Sequence, residues 1–494
     1  MVSAWLIIVT IVAAVLMLLI NIYMFIIYSH PDDLKDCSGW VAKIIIISGS
    51  ALAWALILLL PLDVANSRGD GGGFNMELFY QILFIVHFAF IVFILPMMLF
   101  YYESDDEKPF MSRLCYSFCL EIAVIIITVI LTIIAYFGLR KVQLADYQVV
   151  SYTDFIPSEI SIGEVSQSSW SEGVQVDLPG FVFVIVFLIF VGWFFFVLFG
   201  GIGLVALPMD MIIDYFYRPR PRGPREMAER KVVIRRRVEE LLTYAKSLES
   251  QIDESDEHTG FFSKWKHGRK VRNRESKLQA ELYKLEQEYE IFEAEDKLKA
   301  NPIVMALYLV LGILSALVSF MIWLHILLYS VIFINGQPVS EFLNRIFIFL
   351  EFKLARFIST IVFAALCVYI LLCVIKGNVK FGLRLFFIIK IHPMKMGRTF
   401  MNSFLFNLIF VLLCVPAVMH FILVMFQNYM RLSSAAFLFT GLLQKMKFFE
   451  FFWEHKVFIY IFLGWTVLTF LYLLCKPKSD RLDIKKMIER RKKV

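Results

Sequence analysis
Apolar and polar residues follow one another along this chain in long blocks. Nine apolar blocks, at residues 4–28, 41–62, 78–101, 114–137, 180–213, 303–334, 357–375, 400–426 and 457–474, are separated by polar connections. One connection, 215–300, is far longer and more charged than the others. A helix of about 20 apolar residues matches a hydrocarbon core of roughly 30 Å, and every block is long enough to cross it as a helix. The pattern predicts an all-α fold: a polytopic membrane helix bundle of about nine transmembrane helices. The first block has no basic flank and no small-residue cleavage pattern, and it is longer than a signal core, so it reads as a retained anchor.

Within 215–300 the spacing changes. Ile234, Val238, Leu241, Ala245, Leu248 and Ile252 repeat at 4-3-4-3-4, the period of a coiled-coil seam. Leu278, Leu282, Leu285, Tyr289 and Phe292 form a second seam, and a polar, glycine-containing stretch lies between the two. Two seams of similar length predict an antiparallel coiled-coil hairpin. It either docks a protein partner or seals against itself. The expected organisation is a five-helix membrane half over 1–214, a basic segment plus hairpin over 215–300, a four-helix membrane half over 301–475 and a basic tail over 476–494.

Composition supports a bilayer as the solvent: 59% of residues are hydrophobic, 19% are charged, and mean hydropathy is +0.71. Charge sets the orientation. Lys and Arg crowd alternate connections, with 20 in 215–300 and 9 in 476–494, which predicts those segments to be cytosolic and the N-terminus outside or lumenal. Span lengths suit a plasma or an endolysosomal membrane, because tilt absorbs differences in thickness. The seven cysteines fall in apolar blocks, at their edges or in loops expected to be cytosolic, so no disulfide framework is expected. Just after the fifth block, Arg218, Arg220, Arg222 and Arg225 are interleaved with Pro and Gly. Such a run is expected at the membrane surface against anionic inner-leaflet lipids, where each guanidinium contributes about 1 kcal/mol. The basic tail meets the same lipid first, so nucleic acid is not an expected partner.

Several strings carry a family resemblance. Leu60-Pro61-Leu62-Asp63-Val64-Ala65-Asn66 closes the second block, and Phe100-Tyr101-Tyr102-Glu103 with Asp105-Asp106 closes the third. Phe199-Gly200-Gly201-Ile202-Gly203 with Leu207-Pro208 lies in the fifth, and His392-Pro393-Met394-Lys395 with Met401-Asn402-Ser403-Phe404-Leu405-Phe406-Asn407 opens the eighth. Together they resemble the limb-region-one-like membrane proteins of the lipocalin-interacting membrane receptor type, in their plant and protist forms, and more distantly the lysosomal cobalamin exporter. The resemblance implies nine helices, an outer N-terminus and a cytosolic coiled-coil loop between helices five and six. It supplies no catalytic motif, and neither a lipocalin ligand nor a cobalamin cargo is carried over with it.

Candidate chemistry is confined to ionisable groups at membrane depth, which are costly unless they face a partner or a cavity. His87, His325 and His420 sit in the third, sixth and eighth blocks, roughly 10–15 Å below the outer surface at 1.5 Å per residue. Asp63 closes the second block on the same side, and Glu121 lies inside the fourth. If their helices adjoin, these groups form a protonatable ligand site of the kind a proton-coupled transporter needs. Otherwise each imidazole satisfies one interhelical hydrogen bond. Gly200, Gly201, Gly203 and Pro208 give the fifth helix either a hinge, partly unwound, or a close packing face. No nucleotide-binding loop, zinc motif, nucleophile elbow or Cys-x-x-Cys pair is present, so no enzyme activity, cofactor or metal is expected. Two function classes follow. One is a non-enzymatic receptor or trafficking scaffold, with a cytosolic protein bound at 226–300 and a ligand at the outer loops. The other is a transporter of a small organic solute, vitamin or lipid, with a path past His87, His325 and His420.

Overall fold
The computed structural model describes residues 4–30, 39–67, 73–104, 109–143, 175–177, 179–216, 224–256, 302–354, 356–382, 399–440 and 449–475, with single positions between them. Among the described residues, nine helices are long and apolar enough to cross a membrane. Helices one to nine are Ile7–Tyr28, Trp40–Ser67, Met76–Glu103, Phe110–Leu139, Gly180–Phe216, Ala306–Val331, Arg356–Phe381, Met401–Met425 and Val457–Cys475. A helix satisfies its own backbone donors and acceptors, which is why hydrocarbon selects it for apolar runs of this length. The protein is thus a multi-pass membrane protein, and among the described residues the strands form only two-stranded pairs.

Local chemistry sets the ends. Helix six was expected to reach residue 334, but it closes at Val331 in a π turn over Leu327–Val331. Phe333–Ile334 then pairs with Gln337–Pro338 around Asn335 and Gly336, both at positive φ, as a two-residue hairpin turn requires. Helix three carries a second π turn at Phe90–Ile94, where the Leu95 N–H bonds the Phe90 carbonyl just ahead of Pro96. Proline at 61, 208 and 416 sits inside helices two, five and eight without ending them.

The described chain forms two compact units. The first holds 1–207 and 316–472, so the helices on either side of the polar insert share one unit. Helix eight is its centre, with 78% of its most apolar stretch enclosed by protein against 6% for helices one and four. It packs on helices two, three and seven, and helix two packs on one and seven. Where backbones meet, side chains are missing: a Cβ on Gly203 would overlap the Cys373 carbonyl, and one on Gly377 the Phe199 carbonyl. The ends of helices two, three, four, seven and eight define two faces. The first face carries Trp40, Glu103, Phe110, Phe381 and Met401; the second carries Ser67, Met76, Leu139, Arg356 and Met425.

The second unit holds 208–315 and 473–494. Its main described element is the helix Pro224–Asp256, 33 residues rich in Arg and Glu. Arg237 reaches both carboxylate oxygens of Glu288 at 2.9 Å, and Met227, Ile234 and Leu285 are buried. Pairs such as Arg235 with Glu239 and Arg236 with Glu240 repeat along the exposed face at i, i+4.

Candidate functional site
Asp63 is wholly buried near the second-face end of helix two. Its Oδ1 accepts from the Ser434 N–H at 3.1 Å and the Ser67 hydroxyl at 3.2 Å, while Oδ2 accepts from the Ala435 N–H at 2.7 Å and the Tyr80 hydroxyl at 3.2 Å. The Ser67 hydroxyl lies closer to the Asp63 backbone carbonyl, at 2.8 Å, so two backbone N–H groups and the Tyr80 phenol are the donors committed to the carboxylate. The side chain caps the short helix Ser434–Thr440 from outside and ties it to helices two and three. At the first face Asp33 does the same for helix eight, with Oδ2 accepting the Met401 N–H at 3.1 Å.

The three histidines do not assemble. His325 lies between Tyr329 and Phe426, nearly parallel to both rings, and its Nε2 is 3.0 Å from the Met425 carbonyl. A carbonyl only accepts, so that nitrogen carries the proton. The same carbonyl accepts from Asn344, whose Oδ1 takes the Tyr429 N–H, and the Tyr429 and Ser359 hydroxyls are 2.9 Å apart. His420 accepts from the Trp193 indole at Nδ1, 3.2 Å, beside the Trp453 ring. His87 is buried next to Phe84 on its own helix, and neither ring nitrogen has a partner among the described residues. Each ring has its own surroundings, and no hydrogen bond or ring contact among the described residues joins any two of them. Nor do described residues place three His, Cys, Asp or Glu side chains together as a metal site.

Glu121 is 3% exposed, and both of its oxygens lack a partner among the described residues. On helix four only it and Ser117, one turn earlier, are buried. The stretch of helix five over Gly200, Gly201, Gly203 and Pro208 is a continuous helix, not an unwound one. Gly200 and Gly201 face Phe462 and Trp465 of helix nine, and Gly203 meets the Cys373 backbone of helix seven. Arg218, Arg220 and Arg222 lie outside the described residues; Arg225 is exposed and pairs with Glu229 at 3.2 Å.

A first-face node escaped the sequence reading. His392, at φ 49°, pairs through Nε2 with Glu103 at 2.9 Å and packs on Phe406. Asn407 donates to the His392 and Ser403 carbonyls, and Asn378 donates to the Asn407 carbonyl at 3.0 Å. Alongside, Thr399 and Gly397 donate to the Tyr28 and Ile27 carbonyls and His30 stacks on Phe400, fastening the end of helix one to the start of helix eight. The available signal was neutral: Asn378 and Asn407 are amides inside or bordering apolar runs, where a polar group needs a partner.

The node joins Glu103 of one resembling string to the His392–Asn407 string, and Asp63 anchors a third. The model of the LMBR1-like membrane protein family matches residues 6–291. A LIMR family protein of Dictyostelium discoideum is 32% identical, with 98% of this chain and 100% of the relative aligned. Two LIMR family proteins of Arabidopsis thaliana are 30% and 29% identical, each over 97% of this chain and 98% of the relative. No solved structure gives a significant match. With the family model and the full-length relatives in agreement, the chain belongs to the LMBR1-like membrane protein family.

Proposed function
We propose that the protein is a non-enzymatic membrane receptor or trafficking scaffold that docks a cytosolic protein through residues 226–300. The carrying observation is the Pro224–Asp256 helix with its Arg237–Glu288 bridge. Joining two membrane helices needs only a short loop, whereas this connection builds a 33-residue helix and brings a second segment to its side. In this reading the second seam returns as the other arm of an antiparallel hairpin, with Ile234 and Leu285 between the arms. Val232, Leu242 and Tyr244 remain on its exposed surface as an apolar contribution to the docking face. The excess of Lys and Arg in 215–300 and 476–494 supports a cytosolic location, with Arg218, Arg220, Arg222 and Arg225 against anionic lipid and an outer ligand at the opposite loops. A plasma or endolysosomal membrane suits the span lengths. Separate surroundings for His87, His325 and His420 weigh against a transport path through them.

The test is a charge reversal. Arg237→Glu is expected to remove proteins that co-purify with the full chain in mild detergent, and Arg237→Glu with Glu288→Arg to restore them. If replacing 226–300 by a short Gly-Ser linker leaves the captured proteins unchanged, the reading fails. Labelling of a cysteine placed at position 260 by an impermeant reagent on intact cells would reverse the orientation.

A further inference from the structure
Among the described cysteines Cys367, Cys373 and Cys414 are buried, whereas Cys115, Cys119 and Cys475 are exposed. A buried thiol serves as a small apolar side chain, and an exposed one is open to chemistry. Cys115 and Cys119 stand one turn apart near the first-face end of helix four. Their depth is marked by Arg113, which donates to the Ser104 hydroxyl and the Tyr101 carbonyl where helix three ends and lies over the Tyr101 ring, 4.5 Å from its centroid. Arginine and tyrosine settle at the boundary between membrane and water. At 1.5 Å per residue, Cys115 is then about 3 Å and Cys119 about 9 Å below that boundary. The two thiols head an open apolar track. Cys115, Cys119, Ile122, Ile126, Ile130 and Ile133 fall within about 80° of one another at 100° per residue. All six are exposed, and Ser117 and Glu121, the buried residues of this helix, lie on the opposite side. From Cys119 to Ile130 the track runs about 16 Å, close to half of a roughly 30 Å hydrocarbon core and so to the reach of one leaflet's acyl chain.

We propose that the Cys115–Cys119 pair is a modification site that carries a thioester-linked long-chain acyl group. The donor is a long-chain acyl thioester of coenzyme A, brought by a membrane acyltransferase on the cytosolic side; this rests on the orientation proposed above, in which the first face is cytosolic. The cysteine sulfur attacks the acyl carbonyl and forms a new S–C bond. The bond from that carbonyl to the coenzyme A sulfur breaks, and the thiol proton leaves with the coenzyme A thiol, so nothing is oxidised or reduced. Juxtamembrane cysteines are the usual acceptors of this reversible step. Depth favours an acyl donor over a water-borne reagent, because both thiols lie below the Arg113 level, where an acyl chain enters and a polar reagent does not. Once attached, the chain lies down along the isoleucine track. Helix four has only 6% of its most apolar stretch enclosed by protein, so the modification changes the lipid-facing rim without entering the bundle.

The experiment takes the full chain from a eukaryotic host, blocks its free thiols with N-ethylmaleimide, opens thioesters with hydroxylamine and tags each thiol so released with a heavy maleimide. A hydroxylamine-dependent mass shift is expected. Cys115→Ala combined with Cys119→Ala should remove at least one increment of that shift, and the single variants tell which thiol carries it. Adducts at Cys37 or Cys475 remain in parent and variant alike and leave the comparison intact. Should the double variant fail to fold, the peptide Leu114–Arg140 cut from the unmodified protein should carry an acyl mass that hydroxylamine removes. Equal shifts in the double variant and the parent, or a bare Leu114–Arg140 peptide, overturn the proposal. Impermeant labelling at position 260 on intact cells separates the two ways of failing. If 260 is labelled from outside, the orientation falls and the proposal with it; if it is not, a bare pair overturns the acylation alone.

Discussion
Asp63 and Ala435 are 372 residues apart in the chain, yet the Asp63 carboxylate accepts the Ala435 backbone N–H at 2.7 Å. One buried side chain thereby closes helix two against the helix Ser434–Thr440, and it takes the Tyr80 hydroxyl of helix three as well.

Removing that carboxylate strands two backbone N–H groups and a phenol in a buried place. Asp63→Ala should cost about 2–4 kcal/mol, the sum of a lost cap and unsatisfied donors. Asp63→Asn keeps one acceptor oxygen and should lose less. Thermal unfolding in detergent ranks the two, and equal melting temperatures for both variants and the parent would refute the capping role.

Helix contacts through missing side chains make a sharper contrast. Gly203→Ala drives a Cβ into the Cys373 carbonyl and should destabilise by roughly 3 kcal/mol or prevent insertion. Gly464 has nothing within 4 Å of the same position, so Gly464→Ala should gain about 0.5–1 kcal/mol from reduced chain entropy. Monodispersity after heating reads both.

Asn407 donates to two carbonyls and its own carbonyl receives Asn378. Asn407→Leu should cost about 1–3 kcal/mol through the orphaned His392 carbonyl. A protease protection assay on the 377–399 connection should show faster cleavage in the variant.

His87 presents the reverse case. Both ring nitrogens are buried with no partner among the described residues, so His87→Leu should leave stability unchanged or raise it by about 1–3 kcal/mol. A clear drop in melting temperature would show that the imidazole holds a partner after all.

Lys456 lies at the second face, with its ammonium donating to the Ser330 carbonyl at 2.7 Å above the Phe333 ring. Burial pushes it below the ordinary lysine value of 10.5. In the window between its lowered value and 10.5 the unfolded chain keeps a proton that the folded protein has released, so stability rises with pH there. Lys456→Gln should flatten that rise, measured as melting temperature against pH across the alkaline range.

The amino-acid sequence by itself determined the solvent, the family and, among the described residues, the nine helices long and apolar enough to cross a membrane. Runs such as 114–137 and 400–426 leave hydrocarbon no alternative to a helix, and the strings at 60–66 and 392–407 are long enough to mark relatives. Which runs touch was a different matter. Helices one and four read as apolar as helix eight, yet they lie at the rim and helix eight at the centre, because hydrophobicity tells lipid from water and does not tell lipid from another helix. Contacts were settled instead by shape and by polar groups with few partners to choose from: Gly203 against Cys373, Asp63 on Ser434 and Ala435, Asn407 on His392. The same physics separated the histidines. Each apolar surrounding satisfies or encloses one ring, and spacing along the chain carried no information on whether three of them would meet.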